Sequence, residues 1–162
     1  MIIIGITGTL GAGKGTIVEY LIEKKEFAHF SVRGFLLEKI RLLGMPENRD
    51  SMFHLANELR AEHGPSYMVD QLYELAKRLG KNSIIESIRT TGEIASLRSK
   101  GKFYLFAVDA DPQIRYQRIV QRKSETDAVS FDTFLHNEER ESVSSDPSVQ
   151  NLKACIEEAD FM

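Results

Sequence analysis

The chain has 162 residues, 42% hydrophobic and 28% charged, which is the length and composition of one ordinary soluble globular domain. Its 21 Lys plus Arg against 24 Asp plus Glu give a formal net charge of -3, so no overall positive field is available to hold a polyanion, and nucleic acid is disfavoured as the main partner. No apolar run approaches the roughly 18 residues of a membrane span, the start lacks the marks of a signal peptide, and the single cysteine, Cys155, can form neither an internal disulfide nor a metal cluster, so no membrane partner and a reducing cytoplasm are expected.

Ile2 to Ile6 is a short β-branched run that ends in a glycine-rich stretch, the pattern of a strand buried on both faces. Residues 14 to 24 follow as a helix with Ile17, Val18, Leu21 and Ile22 on one face. A weaker strand is expected over Ala28 to Val32, and a helix over 51–63 with Met52, Leu55, Ala56 and Leu59 on its apolar side. Arg49, Phe53, Asn57 and Arg60 share the opposite face if that helix begins by Asp50. Pro65 to Leu79 reads as a helix and Ser83 to Glu86 as a strand, and Thr90-Thr91-Gly92-Glu93 fits a capping box for a helix through Leu97. Phe103 to Val108 is the next strand, and Pro112 to Arg122 the next helix, capped by Asp111.

Beyond it, Arg115, Arg118, Arg122 and Lys123 form a basic run, followed by an acidic stretch from Glu125 to Asp146 that reads as a solvated helix and loop. Ala159-Asp160-Phe161-Met162 reads as the first residues of one more strand, truncated here. Strands alternating with helices predict right-handed crossovers and a parallel sheet. No repeat or linker divides the chain, so a single domain over residues 1–162 is expected.

Gly8-Thr9-Leu10-Gly11-Ala12-Gly13-Lys14-Gly15-Thr16 lies where the first strand ends and the first helix begins, the context a phosphate-binding P-loop requires. Glycines let successive N–H groups converge on one point, which also receives the positive end of the helix dipole. ATP or GTP binding is the expectation: Gly8, Gly11, Ala12, Gly13, Lys14, Gly15 and Thr16 form the cradle, Lys14 bridges the β- and γ-phosphates, and the Thr16 hydroxyl lies near Mg2+. The chain has no guanine-reading Asn-Lys-x-Asp and no switch Asp-x-x-Gly, which argues against a signalling GTPase.

Gly-Lys-Gly-Thr resembles the loop of nucleoside monophosphate kinases such as adenylate kinase. Ile84 to Thr90 is similar to their strand and turn, where an acidic residue ends the strand and an arginine three positions on grips the acceptor phosphate. Arg118 to Arg122 resembles the start of their lid, with Arg140 where a later lid-base arginine falls. Asn48 to Met52, continuing to Asn57-Glu58-Leu59-Arg60, resembles phage-type deoxynucleoside monophosphate kinases and P-loop kinases labelled dephospho-CoA kinase-like. The last resemblance spans the whole chain. It implies a three-layer α/β/α P-loop kinase fold with about five parallel strands, acceptor-binding helices over 33–80 and a short helical lid over 115–145.

The resemblance and the residues together assign Lys14, Arg89, Arg118 and Arg122 to catalysis. Arg33, Arg49, Asn57, Arg60, Arg89 and Arg140 are assigned to an acceptor nucleotide, and Thr16 with Glu86, through water, to Mg2+. Arg118 and Arg122 lie four apart on one helix face that could close over phosphates, whereas Arg115 reads as structural. His29, His54, His63 and His136 lack ligand spacing and read as structural. Where adenylate kinases carry Thr-Gly-Asp-Met-Leu-Arg, this chain has Val32-Arg33-Gly34-Phe35-Leu36-Leu37, which leaves the base open.

An alcohol acceptor needs a carboxylate to take its proton, and Ser31-Val32-Arg33 supplies none. An ionised monophosphate needs only arginine clamps. ATP- and Mg2+-dependent transfer to a nucleoside or deoxynucleoside monophosphate is therefore the first expectation. Dephospho-CoA-type transfer with Glu86 as base and a non-catalytic ATP-binding module are the alternatives.

Overall fold

A computed structural model describes residues 1–123, 128–143 and 150–162. β1 (Ile3–Gly8) is buried along its whole length, because it runs parallel between β3 (Ser83–Glu86) and β4 (Phe103–Val108) with helices above and below. β2 (Ala28–Ser31) pairs with the outer side of β3, giving the order β2-β3-β1-β4, all parallel. Alternate residues of β1 serve different layers. Ile3 joins the core under α2 (Val32–Leu43), α3 (Arg49–His63), α4 (Tyr67–Leu79) and α5 (Thr91–Ser99). Ile4 and Ile6 join a smaller core under α1 (Lys14–Lys25). The result is the three-layer α/β/α arrangement, its core set by the two-residue period of the strands.

Local signals place several boundaries. Asp111 accepts from the Gln113 amide ahead of α6 (Pro112–Arg122). Thr90 and Glu93 exchange both capping-box hydrogen bonds at α5. β2 is one residue shorter than the sequence suggests: Ser31 caps α2 by accepting from the Gly34 amide, and Val32 is already helical. The expected last strand is a single parallel bridge between Phe106 and Phe161 beside β4, so the sheet proper has four strands among the described residues.

The acidic stretch departs from a fully solvated reading. Residues 131–142 form α7 (Phe131–Ser142), which buries Phe134 and Glu141, and α8 (Leu152–Glu157) buries Leu152 and Cys155. Glu125, Asp127 and Asp146 lie outside the described residues. Cys155 is a free, buried thiol pushed up to about 12, chiefly by desolvation, and is chemically quiet. Among the described residues no helix is long and apolar enough to cross a membrane.

Candidate active site

The strand-to-helix loop after β1 has the geometry of an anion cradle. Gly8 has φ 134°, and a Cβ there would lie 2.0 Å from the Val108 carbonyl oxygen, so only glycine fits. Thr9 pins the loop to the end of β4, its hydroxyl donating to Asp109 at 2.6 Å. Gly13, at φ 102°, begins α1 with no side-chain cap and no acidic residue in the first turn. The first amides of α1 are thus left for a ligand, at the positive end of the helix dipole. Lys14 folds back over this loop, its Nζ donating to the Thr9 carbonyl at 2.6 Å and to the Gly8 carbonyl at 3.1 Å. Burial, then the positive charge of Arg89, lowers the Lys14 ammonium to about 7; Glu86 opposes the shift, and Arg122 and Arg49 add to it.

In front of the loop lies a cleft of about 470 Å3, lined by Gly11 to Gly15, by Arg33, Arg49, Glu86, Ser87 and Arg89, and by Arg118 and Arg122 of α6. It opens at the carboxyl ends of β1, β2 and β3, where open α/β sheets place ligands. At the end of β3, burial tends to raise the Glu86 pKa. The hydrogen bond and charge of His29, aided by Lys14 and Arg89, outweigh it and hold the carboxyl below its usual range. His29 Nε2 donates to Glu86 Oε2 at 2.9 Å. Ser87 then takes a left-handed φ of 72°, a strained turn that leads to Arg89. Arg118 Nη1 donates to the Gly11 carbonyl at 3.2 Å, tying α6 to the loop. Thr16 is exposed in the first turn of α1 and does not line the cleft.

A smaller cavity of about 40 Å3 adjoins it, sharing Arg33, Arg49, Ser87 and Arg89 and adding Leu36, Met52, Phe53, Arg60 and Glu141. Glu141 of α7 bridges the two arginines: Arg49 Nη2 donates to one carboxylate oxygen, and Arg89 Nη1 to the other at 3.2 Å. Burial lowers the Arg89 pKa, and the Glu141 charge opposes that shift most strongly. Arg60 is not on an exposed face, as the helix pattern suggests, but 1% exposed against Glu93, itself 0% exposed. Glu93 Oε1 accepts from Arg60 Nη2 at 2.8 Å, and Oε2 accepts from the amides of Arg89 and Thr90. Arg60 therefore holds up the turn that presents Arg89, with Nη1 left unpartnered.

The structure gathers most of the expected residues and separates three. Lys14, Glu86, Arg89, Arg118, Arg122, Arg33 and Arg49 surround the cleft. Asn57 lines neither cavity. Arg140 turns away: it donates to Asp50 at 2.7 Å and lies 4.3 Å from the Phe53 ring centroid. Thr16 is the third. Arg115 is structural as expected, 2% exposed, with a two-bond fork to Glu138 at 2.6 and 2.8 Å. His29 and Glu141 are the residues sequence reasoning passed over. The first lacks ligand spacing and the second lies in an acidic stretch that reads as solvated, so only their distant partners reveal them.

A P-loop cradle at the ends of a parallel sheet, with arginines converging on the same cleft, defines a P-loop protein of kinase-like fold. A family model described as an AAA domain matches residues 4–144, and the chain belongs to that family. A UPF0200 protein of Methanococcus maripaludis is 28% identical over 144 residues, covering 87% of this chain and 78% of the relative. Among solved structures, a shikimate kinase from Bacteroides thetaiotaomicron superposes with a TM-score of 0.59 at 15% identity, over 99% of this chain and 84% of that one. A sugar kinase from Janibacter gives 0.53 at 18% identity, over 97% and 91%. These likenesses carry the fold.

Proposed function

We propose that this protein transfers the γ-phosphoryl group of ATP to the phosphate of a nucleoside or deoxynucleoside monophosphate. One observation carries the reading: beside a triphosphate cradle, two guanidiniums, Arg49 and Arg89, converge on a single anion, the Glu141 carboxylate. An acceptor phosphate fits the same pair. The α1 amides and Lys14 hold the triphosphate, and Arg49 and Arg89 hold the acceptor. Arg118 and Arg122 neutralise charge between them, since crowding of phosphoryl oxygens is the main obstacle to transfer. An acceptor oxygen forms the new bond to the γ-phosphorus while the bond to the β–γ bridging oxygen breaks, and ADP leaves. The acceptor is ionised at neutral pH and needs no base.

The described residues hold no ready-made cluster of metal ligands, so Mg2+ would arrive with the nucleotide. Water held by Glu86 would help complete its shell, whereas Thr16 does not line the cleft and is not among its holders. Bound there, it would screen the phosphate charges. A carboxylate held below its usual range suits a water-shell role better than that of a base. The proposed setting is cytoplasmic, with a small-molecule nucleotide as partner and neither nucleic acid nor membrane involved.

A panel of nucleoside and deoxynucleoside monophosphates, offered with ATP and Mg2+ and followed by ADP release, tests the reading. Turnover of at least one supports it, and silence on all contradicts it. A second reading, transfer to a ribose hydroxyl as in dephospho-CoA kinase with Glu86 as base, draws support from the place of Glu86 in the cleft and from neighbours named as a shikimate kinase and a sugar kinase. Turnover of dephospho-CoA that is lost in Glu86→Gln favours it. Stabilisation by ATP without turnover of any acceptor favours a non-catalytic module.

A further inference from the structure

The pair Arg49 and Arg89 is not open to an acceptor as it stands. Glu141, 6% exposed in its side chain, sits between the Arg49 and Arg89 side chains, which are 10% and 12% exposed. It reaches them from the last turn of α7, across 92 and 52 residues of sequence. We propose that Glu141 is a built-in occupant of the acceptor's anion site, which the acceptor must displace, and that it thereby selects a phosphomonoester over a carboxylate. The inference rests on the monophosphate reading above.

Three observations support it. The carboxylate bridges both arginines with one oxygen each, as an acceptor anion would. Two guanidinium charges face one carboxylate charge, so with Glu141, or any carboxylate in its place, the pair keeps a surplus of one positive charge, which a phosphate dianion in the same place cancels. Finally, Arg49 Nε and Arg60 Nη1 are buried and unpartnered, and both residues line the same cavity. Two carboxylate oxygens leave these donors unused, whereas a phosphomonoester brings three terminal oxygens to them. A free acceptor carboxylate would gain nothing over Glu141, which is already tethered in place.

An occupant of this kind scales acceptor affinity down to the fraction of time it leaves the site free. Glu141→Gln keeps the shape and removes the competing charge. The probe is inorganic phosphate, titrated into the full chain with ADP and Mg2+ saturating the cradle. Glu141→Gln is expected to bind phosphate roughly tenfold more tightly than the unaltered chain, and KM for any monophosphate turned over to fall similarly with KM for ATP unchanged. Adding Arg49→Ala to Glu141→Gln is expected to abolish the gain, which places it at the arginine pair. Phosphate binding that is equal or weaker in Glu141→Gln overturns the proposal, because Glu141 then only orients the arginines. If Glu141→Gln does not fold, Glu141→Asp, with its shortened reach, is expected to show a smaller gain, and no gain overturns the proposal. A gain in phosphate binding with a silent monophosphate panel contradicts the proposed reaction and leaves the occupant standing.

Discussion

At Lys14, burial and the surrounding guanidiniums leave an ammonium that titrates near 7 in the free protein. A triphosphate placed against it favours the charged form, so nucleotide binding takes up a proton wherever the free lysine is neutral. Affinity for ATP is therefore expected to be full below about 7 and to fall as pH rises above it. Calorimetric titrations are expected to show a loss of roughly tenfold or more between about pH 7.5 and pH 9, with proton uptake visible as a dependence on buffer ionisation enthalpy. Lys14→Arg, charged throughout, is expected to lose that pH dependence. A flat profile in the unaltered chain contradicts the electrostatic account. The same shift acts on stability: folded Lys14 sheds its proton before unfolded lysine does, so the penalty of burying its charge falls, and stability rises, as pH climbs from about 7 towards the 10.5 of an exposed lysine.

At the scale of elements, α3 and α5 meet through the buried pair of Arg60 and Glu93, which also fixes the amides of Arg89 and Thr90. Removing one partner strands a buried charge, so Arg60→Met is expected to cost about 3–5 kcal/mol in urea unfolding. Arg60→Met with Glu93→Leu is expected to recover part of that loss but not all, since the α5 cap goes with Glu93. A cost below about 1 kcal/mol for Arg60→Met contradicts this role. Gly8→Ala forces a Cβ onto the Val108 carbonyl, at a strain of at least about 1–3 kcal/mol, and is expected to lower the melting temperature by roughly 2–4 °C per kcal/mol.

Elements whose signals are local were legible in the sequence: the glycine loop running into α1, the Thr90 capping box, and Asp111 with Pro112 opening α6. Elements whose meaning comes from tertiary packing were not. Glu141 looks like any acid on a solvated helix until α7 docks on the start of α3. His29 gains its role only because β2 pairs with β3 in a register that sets Ser31 beside Glu86, with His29 two residues back on the same face.

For the whole molecule, the cradle, Arg49, Arg89 and α6 meet at one cleft, where Arg118 and Arg122 are exposed to solvent. Transfer without wasteful hydrolysis requires those arginines to close over the phosphates and exclude water. Arg118→Ala with Arg122→Ala is expected to lower kcat for transfer by roughly 10²–10³-fold, with ATP affinity changed far less. An unchanged kcat contradicts a lid role for α6.

The most direct test of the whole account is a calorimetric titration of the full chain with ATP and Mg2+, beside Lys14→Ala. The unaltered chain is expected to bind ATP, and Lys14→Ala to bind it at least roughly tenfold more weakly while keeping its fold by circular dichroism. No ATP binding by the unaltered chain, or equal binding by both, contradicts the cradle on which the proposed reaction stands.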